Sequence, residues 1–516
     1  MKDTNNFTSE DIEQALLPVT ADQLKVLSRK DLVDLLLCEQ KMRIQAFKDL
    51  EKKFEVEGKF ITLKRRVYGI SSEKSKLKTS SKKSKNKKKS PAKRNLKPSE
   101  RYPNLDVEDW DIEFSGDVLC DCCGNTMKDS GLRETTEQLT VVPKKYFIKR
   151  YHHVTYKCSS CDSIQTASRV PRIKPGSSYS DNLIIDVAMS KFCDLVPIER
   201  YAAIAGRDGV LGLPPNSLIE LTHYLAELLL PVVDMIELEI KQQKILHADE
   251  TPHRMMEQVK NKSWYLWGFS SKYSAFFKCY PSRSGDIAKK FLKESLCRYF
   301  MSDAYAGYTK GVRLTNIDRE EDKQIVEIFC NAHARRKFKE LDENPDADFF
   351  IFCYRKIYHL ESRIKDQGID KNFARSWQKF YFAAMEKKAT KLIQTNFSNS
   401  GISKACNYFL KHYAGLSAFL TELDLPLDNN SQERLLRSPV VGRKTWYGTH
   451  SLQGGKTAGV LFSIVESCKL NNINPRTYVS EIVRRIHAGE KLFTPCQGRL
   501  DFPQIFFPNS PPQKIN

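Results

Sequence analysis

One stretch of this chain has no acid in it. Lys74 to Lys97 holds twelve Lys or Arg, interleaved with Ser, Asn and Pro. Such a run cannot bury a core and is expected to be a disordered basic linker. Acid is short across the whole chain too: 63 Asp and Glu stand against 83 Lys and Arg, a net charge of +20. That balance favours a polyanionic partner. A flexible cationic tract binds DNA by counterion release without reading its sequence; its plainer role is a solubilising tether, and both readings stand together. A long apolar run is also missing. The best candidate, Leu225 to Ile240, is interrupted by Glu227, Asp234, Glu237 and Glu239, which excludes a membrane span. Met1 to Glu10 is polar, so no secretion signal is expected. The fourteen cysteines are therefore expected in a reducing compartment, as thiols or metal ligands and not disulfides. At 516 residues the chain needs several cores.

The cysteines carry the first local chemistry. Cys120-x-x-Cys123-Gly124 and Lys157-Cys158-x-x-Cys161 are two ligand knuckles, and four thiolates at tetrahedral geometry make a structural zinc site. Cys122 is a spare for Cys120, and His152 or His153 can stand in for a thiol. Between the knuckles Lys144, Lys145, Lys149, Arg150, His152 and His153 alternate with Tyr146, Phe147 and Tyr151. That mixture suits phosphate contacts. A ribbon with a purely structural job is the alternative.

The second chemistry is acidic. Lys244 to Thr251 reads as a short apolar strand running into Asp249, and a buried bare carboxylate needs a cation or donors. Ser263 to Phe269 and Ser274 to Tyr280 read as two further strands in an antiparallel meander. Asp286 to Cys297 has helical spacing, and Arg298 to Ser302 is a fourth strand ending on Asp303. If that strand pairs with the first, the crossover rule makes the two parallel and sets Asp249 beside Asp303. Two neighbouring carboxylates resist ionisation unless a divalent cation is shared between them. This is the arrangement of a ribonuclease-H-like core lacking only a third acid; two ordinary strand-end aspartates are the bland alternative. The third acid is sought on a short helix between Pro426 and Pro439, where Glu433 is the candidate. Asn430 and Glu433 also have the spacing of a capping box, and Glu433 and Arg437 that of an ion pair.

Four strings resemble, in order, the core motifs of the insertion-sequence-66 type of DDE transposases: His247-Ala-Asp-Glu-Thr-Pro, Ser302-Asp303-Ala-Tyr-Ala-Gly-Tyr, Cys330-Asn-Ala-His-Ala-Arg-Arg-Lys-Phe, and Asp428-Asn-Asn-Ser-Gln-Glu-Arg with Gly442-Arg-Lys-Thr-Trp. Arg65 to Lys74, the paired knuckles and Lys191 to Arg200 are similar to that family as well. The resemblance implies Asp249, Asp303 and Glu433 as the catalytic acids, holding Mg(II) or Mn(II), with structural Zn(II) on Cys120, Cys123, Cys158 and Cys161. It implies a transposase that binds the ends of its element and performs metal-dependent cleavage and strand transfer. The expected partners are DNA, a homodimer or higher oligomer, and companion proteins from the same element. No membrane partner is expected, and the expected setting is a prokaryotic cytoplasm, on the nucleoid. The tail past residue 486 departs from the family's Leu-Pro-Trp ending.

The expected fold is an α/β, ribonuclease-H-like core with a mixed five-stranded sheet, a helical insertion, an N-terminal helix and a zinc-ribbon-like domain. Its expected pieces are 1–70 (helical, as a coiled coil or a helix docked on its own chain), 71–105 (basic linker), 106–170 (zinc-binding), 177–242 (helical), 243–339 and 423–486 (the two parts of the core), 340–422 (helical insertion) and 487–516 (tail). Ile198 to Gly206 and Asn216 to Leu225 have the outline of a helix-turn-helix, which many helix pairs share without touching DNA. Besides Lys144, Lys145, Lys149 and Arg150, the groups expected to hold DNA are Arg335, Arg336, Arg434, Arg437, Arg443 and Lys444, with Trp446 beside them. Glu250 alternates to the other face and is expected to be non-catalytic. Cys330-x-x-His333 is half of a metal site or a local prop. His333-x-x-Arg336 is shared with tyrosine recombinases, but no companion Arg box or Tyr motif accompanies it. An idle, DNA-binding descendant of a transposase is the reading from another class.

Overall fold

The structure, a computed structural model, describes residues 97–102, 105–110, 122–123, 125–126, 135–141, 144–159, 161–257, 263–341 and 344–507. The helical piece expected over 1–70, the basic tract up to residue 96, and Cys120 lie outside them. The described residues form two compact units, one of residues 331–427 and one of residues 97–330 with 428–507.

After a single helical turn at Pro98–Arg101, the second of these has a hairpin of β1 (Thr155–Lys157) and β2 (Ile164–Thr166), then four helices, α1 (Asp181–Phe192), α2 (Ile198–Arg207), α3 (Pro215–Leu228) and α4 (Leu230–Lys241). Next come β3 (Ile245–Arg254), β4 (Ser263–Ser270), β5 (Ala275–Tyr280), α5 (Gly285–Leu292), β6 (Tyr299–Ser302), α6 (Ala306–Asn316) and β7 (Val326–Phe329). The 331–427 unit is helical, with α7 (Asn331–Lys339), α8 (Pro345–Gln367), α9 (Lys371–Thr395) and α10 (Gly401–Lys411). Then follow α11 (Asn430–Leu435), α12 (Arg437–Trp446), α13 (Leu452–Leu470) and α14 (Pro475–Ala488). Helix starts follow local chemistry. Ser180 and Ser451 accept backbone N–H groups as caps, and proline opens α3, α8 and α14, where its missing donor costs nothing.

Five strands make one mixed sheet in the order β5-β4-β3-β6-β7. β3, β4 and β5 pair antiparallel; β6 lies parallel to β3, and β7 parallel to β6. Between β5 and β6 the chain passes through α5, which buries Ala288, Phe291 and Leu292. That is the crossover a parallel return requires. α5 stops at Leu292, before the expected Cys297. The remainder is a loop held by the Arg319 guanidinium, which donates to the carbonyls of Leu292 and Cys297, each at 2.9 Å.

One apolar core joins the helices α1 to α4, the sheet, α13 and α14, with Ile184, Leu225, Ile236, Phe277, Leu461 and Tyr478 among its members. Each such side chain contributes about 1.5–3 kcal/mol on burial. α13 is buried along almost its whole length, the mark of a helix inside a core. It also closes the sheet's outer edge. The Ser467 hydroxyl accepts from the Ala275 amide at 2.9 Å, and the Ser463 hydroxyl from the Phe277 amide at 2.8 Å. Gly459 allows this approach, because a Cβ there would stand 2.7 Å from the Phe277 carbonyl oxygen.

Candidate active site

Pairing between β3 and β6 sets Ile245 opposite Tyr299, Leu246 opposite Phe300 and His247 opposite Met301. Carried on two residues, that register places Asp249 beside Asp303. β6 ends at Ser302, and Ala304 follows in the left-handed region at φ 64°, uncommon without glycine. The turn brings the Tyr305 amide to Asp303 Oδ1 at 2.9 Å, so the strained backbone orients this carboxylate.

Glu433 arrives on α11, and two side chains pin that helix to the sheet. Asn429 precedes its first residue but does not cap it. Instead its Nδ2 donates to the Ala248 carbonyl at 3.0 Å, and its Oδ1 lies 2.8 Å from His247 Nδ1. Since Nδ2 is committed to a carbonyl, Oδ1 must accept, and His247 carries its proton on Nδ1. Burial pushes the His247 pKa down, which keeps the ring neutral. The Asn429 amide donates to Cys330 Sγ at 3.2 Å, which ties the start of the helix to the residue after β7. Gln432 is the second pin, accepting from the Ser270 hydroxyl. It lies against Gly268, where any Cβ would collide with Gln432 Nε2, and Gly268 is the β4 partner of Asp249. The capping-box account of Glu433 does not hold, because Asn430 is the first helical residue, not the cap, and its side chain donates to Asp428 Oδ2 at 2.6 Å.

Asp249 feels the charges of both other acids. Burial, with the charges of Glu250, Asp303 and Glu433, pushes the Asp249 carboxyl up to about 8, against a hydrogen bond from the Glu250 amide that lowers it. Glu250 itself is otherwise engaged. Its side chain is 2% exposed and is held by Arg283 Nε and the Tyr308 hydroxyl. The remaining set, Asp249, Asp303 and Glu433, offers hard oxygen donors, with the charges of the last two felt at the first. Carboxylate oxygens of this kind suit Mg(II), and a cation there would offset both the burial and the like charges that raise Asp249.

The other expected residues are spread over the fold. Cys158-x-x-Cys161 forms the turn of the β1–β2 hairpin, closed by the Cys158 amide on the Ser163 carbonyl at 2.8 Å. Cys122, Cys123, Cys158 and Cys161 are exposed. Lys145, Lys149 and Arg150 are exposed as well. Lys144 is bound to the Asp186 carboxylate, and its ammonium lies 4.8 Å from the Tyr201 ring centroid. Arg434, Arg437 and Lys444 are exposed on α11 and α12, with Arg443 half-buried. Trp446 packs edge-on against Phe192 at 6.2 Å, with Lys191 5.3 Å over its ring, and so fastens α12 to α1. Arg335 and Arg336 lie on α7 of the 331–427 unit. The sequence reading assigned no role to His247, Asn429 or Gln432. Their one visible signal was polarity inside a motif otherwise bound for the core.

The chain belongs to the IS66 transposase family, whose model, described as "Transposase IS66 family", matches residues 176–457. A second model, "zinc-finger binding domain of transposase IS66", matches residues 118–162. Among curated relatives it is similar to the uncharacterised protein y4hP of Sinorhizobium fredii (strain NBRC 101917 / NGR234), at 25% identity over 407 residues, 74% of this chain and 73% of that protein. It is also similar to the uncharacterised protein y4jD of the same strain, at 27% identity over 387 residues, 72% and 75% of the two chains.

Proposed function

We propose that the protein binds the ends of its mobile element and catalyses metal-dependent cleavage and strand transfer of DNA, in a ribonuclease-H-like core whose catalytic acids are Asp249, Asp303 and Glu433. One observation carries this reading. Asp249 inside β3, Asp303 just past the end of the parallel β6 and Glu433 on a pinned helix are near enough that, on top of burial and the Glu250 charge, the charges of Asp303 and Glu433 help raise Asp249 to about 8. The sheet order β5-β4-β3-β6-β7 and membership in the transposase family support it.

Asp249, Asp303 and Glu433 would hold Mg(II) or Mn(II), which when bound supplies activation of the attacking water or 3′ hydroxyl and stabilisation of the leaving oxygen. The chain's own part is positional. Asn429 and Gln432 fix the helix bearing Glu433, the turn at Ala304 aims Asp303, and Arg283 with Tyr308 engages the Glu250 carboxylate. Lys145, Lys149, Arg150, Arg335, Arg336, Arg434, Arg437, Arg443 and Lys444 are proposed to meet the DNA backbone, whereas Lys144 is committed to Asp186. Zn(II) is proposed on Cys120, Cys123, Cys158 and Cys161 as a structural ion. The division into an inserted helical piece between two parts of the core, self-association, companion proteins and a place on the nucleoid belong to the same proposal.

The test is cleavage and joining of labelled DNA carrying the gene's own flanks, in Mg(II), with companion proteins supplied. Asp249→Ala, Asp303→Ala and Glu433→Ala are expected to abolish both steps while binding persists. Equal binding by all four proteins without cutting by any of them would leave an idle DNA-binding regulator as the better account.

A further inference from the structure

β3 does not end at the acids. It runs five residues on to Arg254, about 16 Å at ~3.3 Å per residue. There the turn after α12 joins it, with the Thr449 amide on the Arg254 carbonyl at 3.0 Å and the Met256 amide on the Thr449 carbonyl at 3.0 Å. Tyr447 takes the left-handed conformation at φ 61° to make this turn, and the residue is 71% exposed. Between the strand end and the helix end is a cleft of about 300 Å³ lined by Arg254, Arg443, Lys444 and Tyr447.

Its lining carries three cations and no carboxylate. Among the described residues none of those three side chains takes part in an ion pair or hydrogen bond, and Arg443 Nε is buried with no acceptor. A buried donor left so costs about 1–3 kcal/mol. Arg443 also acts on a neighbour: burial and its charge together hold the His253 pKa down at about 4. A helix C-terminus attracts cations in its last turn, which accounts for Arg443 and Lys444. It does not account for Arg254, delivered from a different element, or for the empty place at Nε. An oxyanion accounts for both, since guanidinium groups bind phosphate oxygens in pairs.

We propose that the Arg254, Arg443, Lys444 and Tyr447 cleft is a subsite for a single phosphodiester of the bound DNA, remote from the bond that reacts. The inference rests on the reading that this chain acts on DNA, and adds where one particular phosphate is gripped. At 3.4 Å per base step, the ~16 Å from Asp249 corresponds to about five nucleotides. The cleft therefore sets register along the strand and takes no part in the chemistry.

Full-length protein and a fluorescein-labelled duplex carrying the gene's own flanks test this without divalent metal, so that cleavage plays no part. Affinity is measured across a salt series for wild type, Arg254→Gln, Arg443→Gln, Lys444→Gln and the triple variant. Each single variant is expected to weaken binding several-fold, and the triple to reduce the log–log salt slope by about one, the value for one lost phosphate. An unchanged slope in the triple, or a loss of about three as from separate contacts, overturns the proposal. Melting curves confirm that the variants fold, and Arg443→Lys, which keeps charge but loses the fork, is expected to recover only part of the affinity. Inorganic phosphate is the second probe. If it raises the wild-type melting midpoint but not the triple's, while the DNA slopes coincide, the ligand is a free oxyanion and the DNA assignment falls. If wild type never cuts DNA but the slope difference of one remains, the cutting reading fails and the subsite stands.

Discussion

Asn429 is one side chain spanning two elements: it ties the start of the helix that carries Glu433 to the strand that carries Asp249. Asn429→Ala would leave the His247 N–H and the Ala248 carbonyl buried without partners, about 1–3 kcal/mol for each group. Cleavage is expected to fall roughly ten- to hundredfold, the range for losing a partner that orients a metal ligand, with DNA affinity unchanged. Paired melting, binding and cleavage assays check this, and a variant that lost stability but kept its rate would reject the positioning role. Asp249 carries a second expectation. Its folded pKa, about 8, lies above the unfolded value near 3.9. The metal-free protein should therefore lose stability as pH rises from about 4 to about 8, and no further from this group above that. Mg(II) binding at neutral pH should release close to one proton, and its affinity should climb up to pH about 8. Calorimetry in buffers of different protonation enthalpy reads that proton; release of the same size from Asp249→Asn would place it elsewhere. At this scale the acids were legible because a carboxylate that follows a run of apolar strand residues demands a partner, although Asp249 turns out to lie inside β3 and not at its end. Asn429 and His247 were not, since a buried polar residue is explained only by the group that answers it, 182 positions away.

The meander of β3, β4 and β5 and the helix after it could be read from alternation, turn residues and helical spacing. β7 could not, for four residues beginning at the exposed Val326 carry no period, and parallel pairing with β6 alone defines it. Nor does any pattern in α13 announce that two of its serines satisfy the donors of β5. Ser463→Ala should strand the buried Phe277 N–H at about 1–3 kcal/mol. Gly459→Val should cost about as much or more by forcing the helix off the strand. Both are expected to lower the urea midpoint, and Gly459→Val to promote aggregation through the uncovered edge. Light scattering together with denaturation would show it; a soluble Gly459→Val of wild-type stability would mean the edge needs no such cover.

Over the whole molecule, net charge and family motifs conveyed the kind of protein far better than its internal fastening. The zinc-finger match spans residues 118–162, and the hairpin that presents Cys158 and Cys161 has fully exposed strands. One zinc ion per chain is expected by metal analysis. Cys158→Ser with Cys161→Ser should abolish it while the main melting transition, which reports the sheet and its helices, stays in place. A main transition that moved down with the metal would show the finger to be part of the larger core.

The serines that close β5 lie 186 and 192 positions beyond it, and this orders events in time. At about 5–20 residues per second, a ribosome needs about 10–40 s to travel from the strand to its cover. For that interval the nascent sheet has an open border, and Glu433, encoded between the two, has no finished surface on which to seat. The fold thus cannot be completed until the C-terminal helices have emerged. A chain arrested before residue 452 is expected to be insoluble and inert although it contains all three acids.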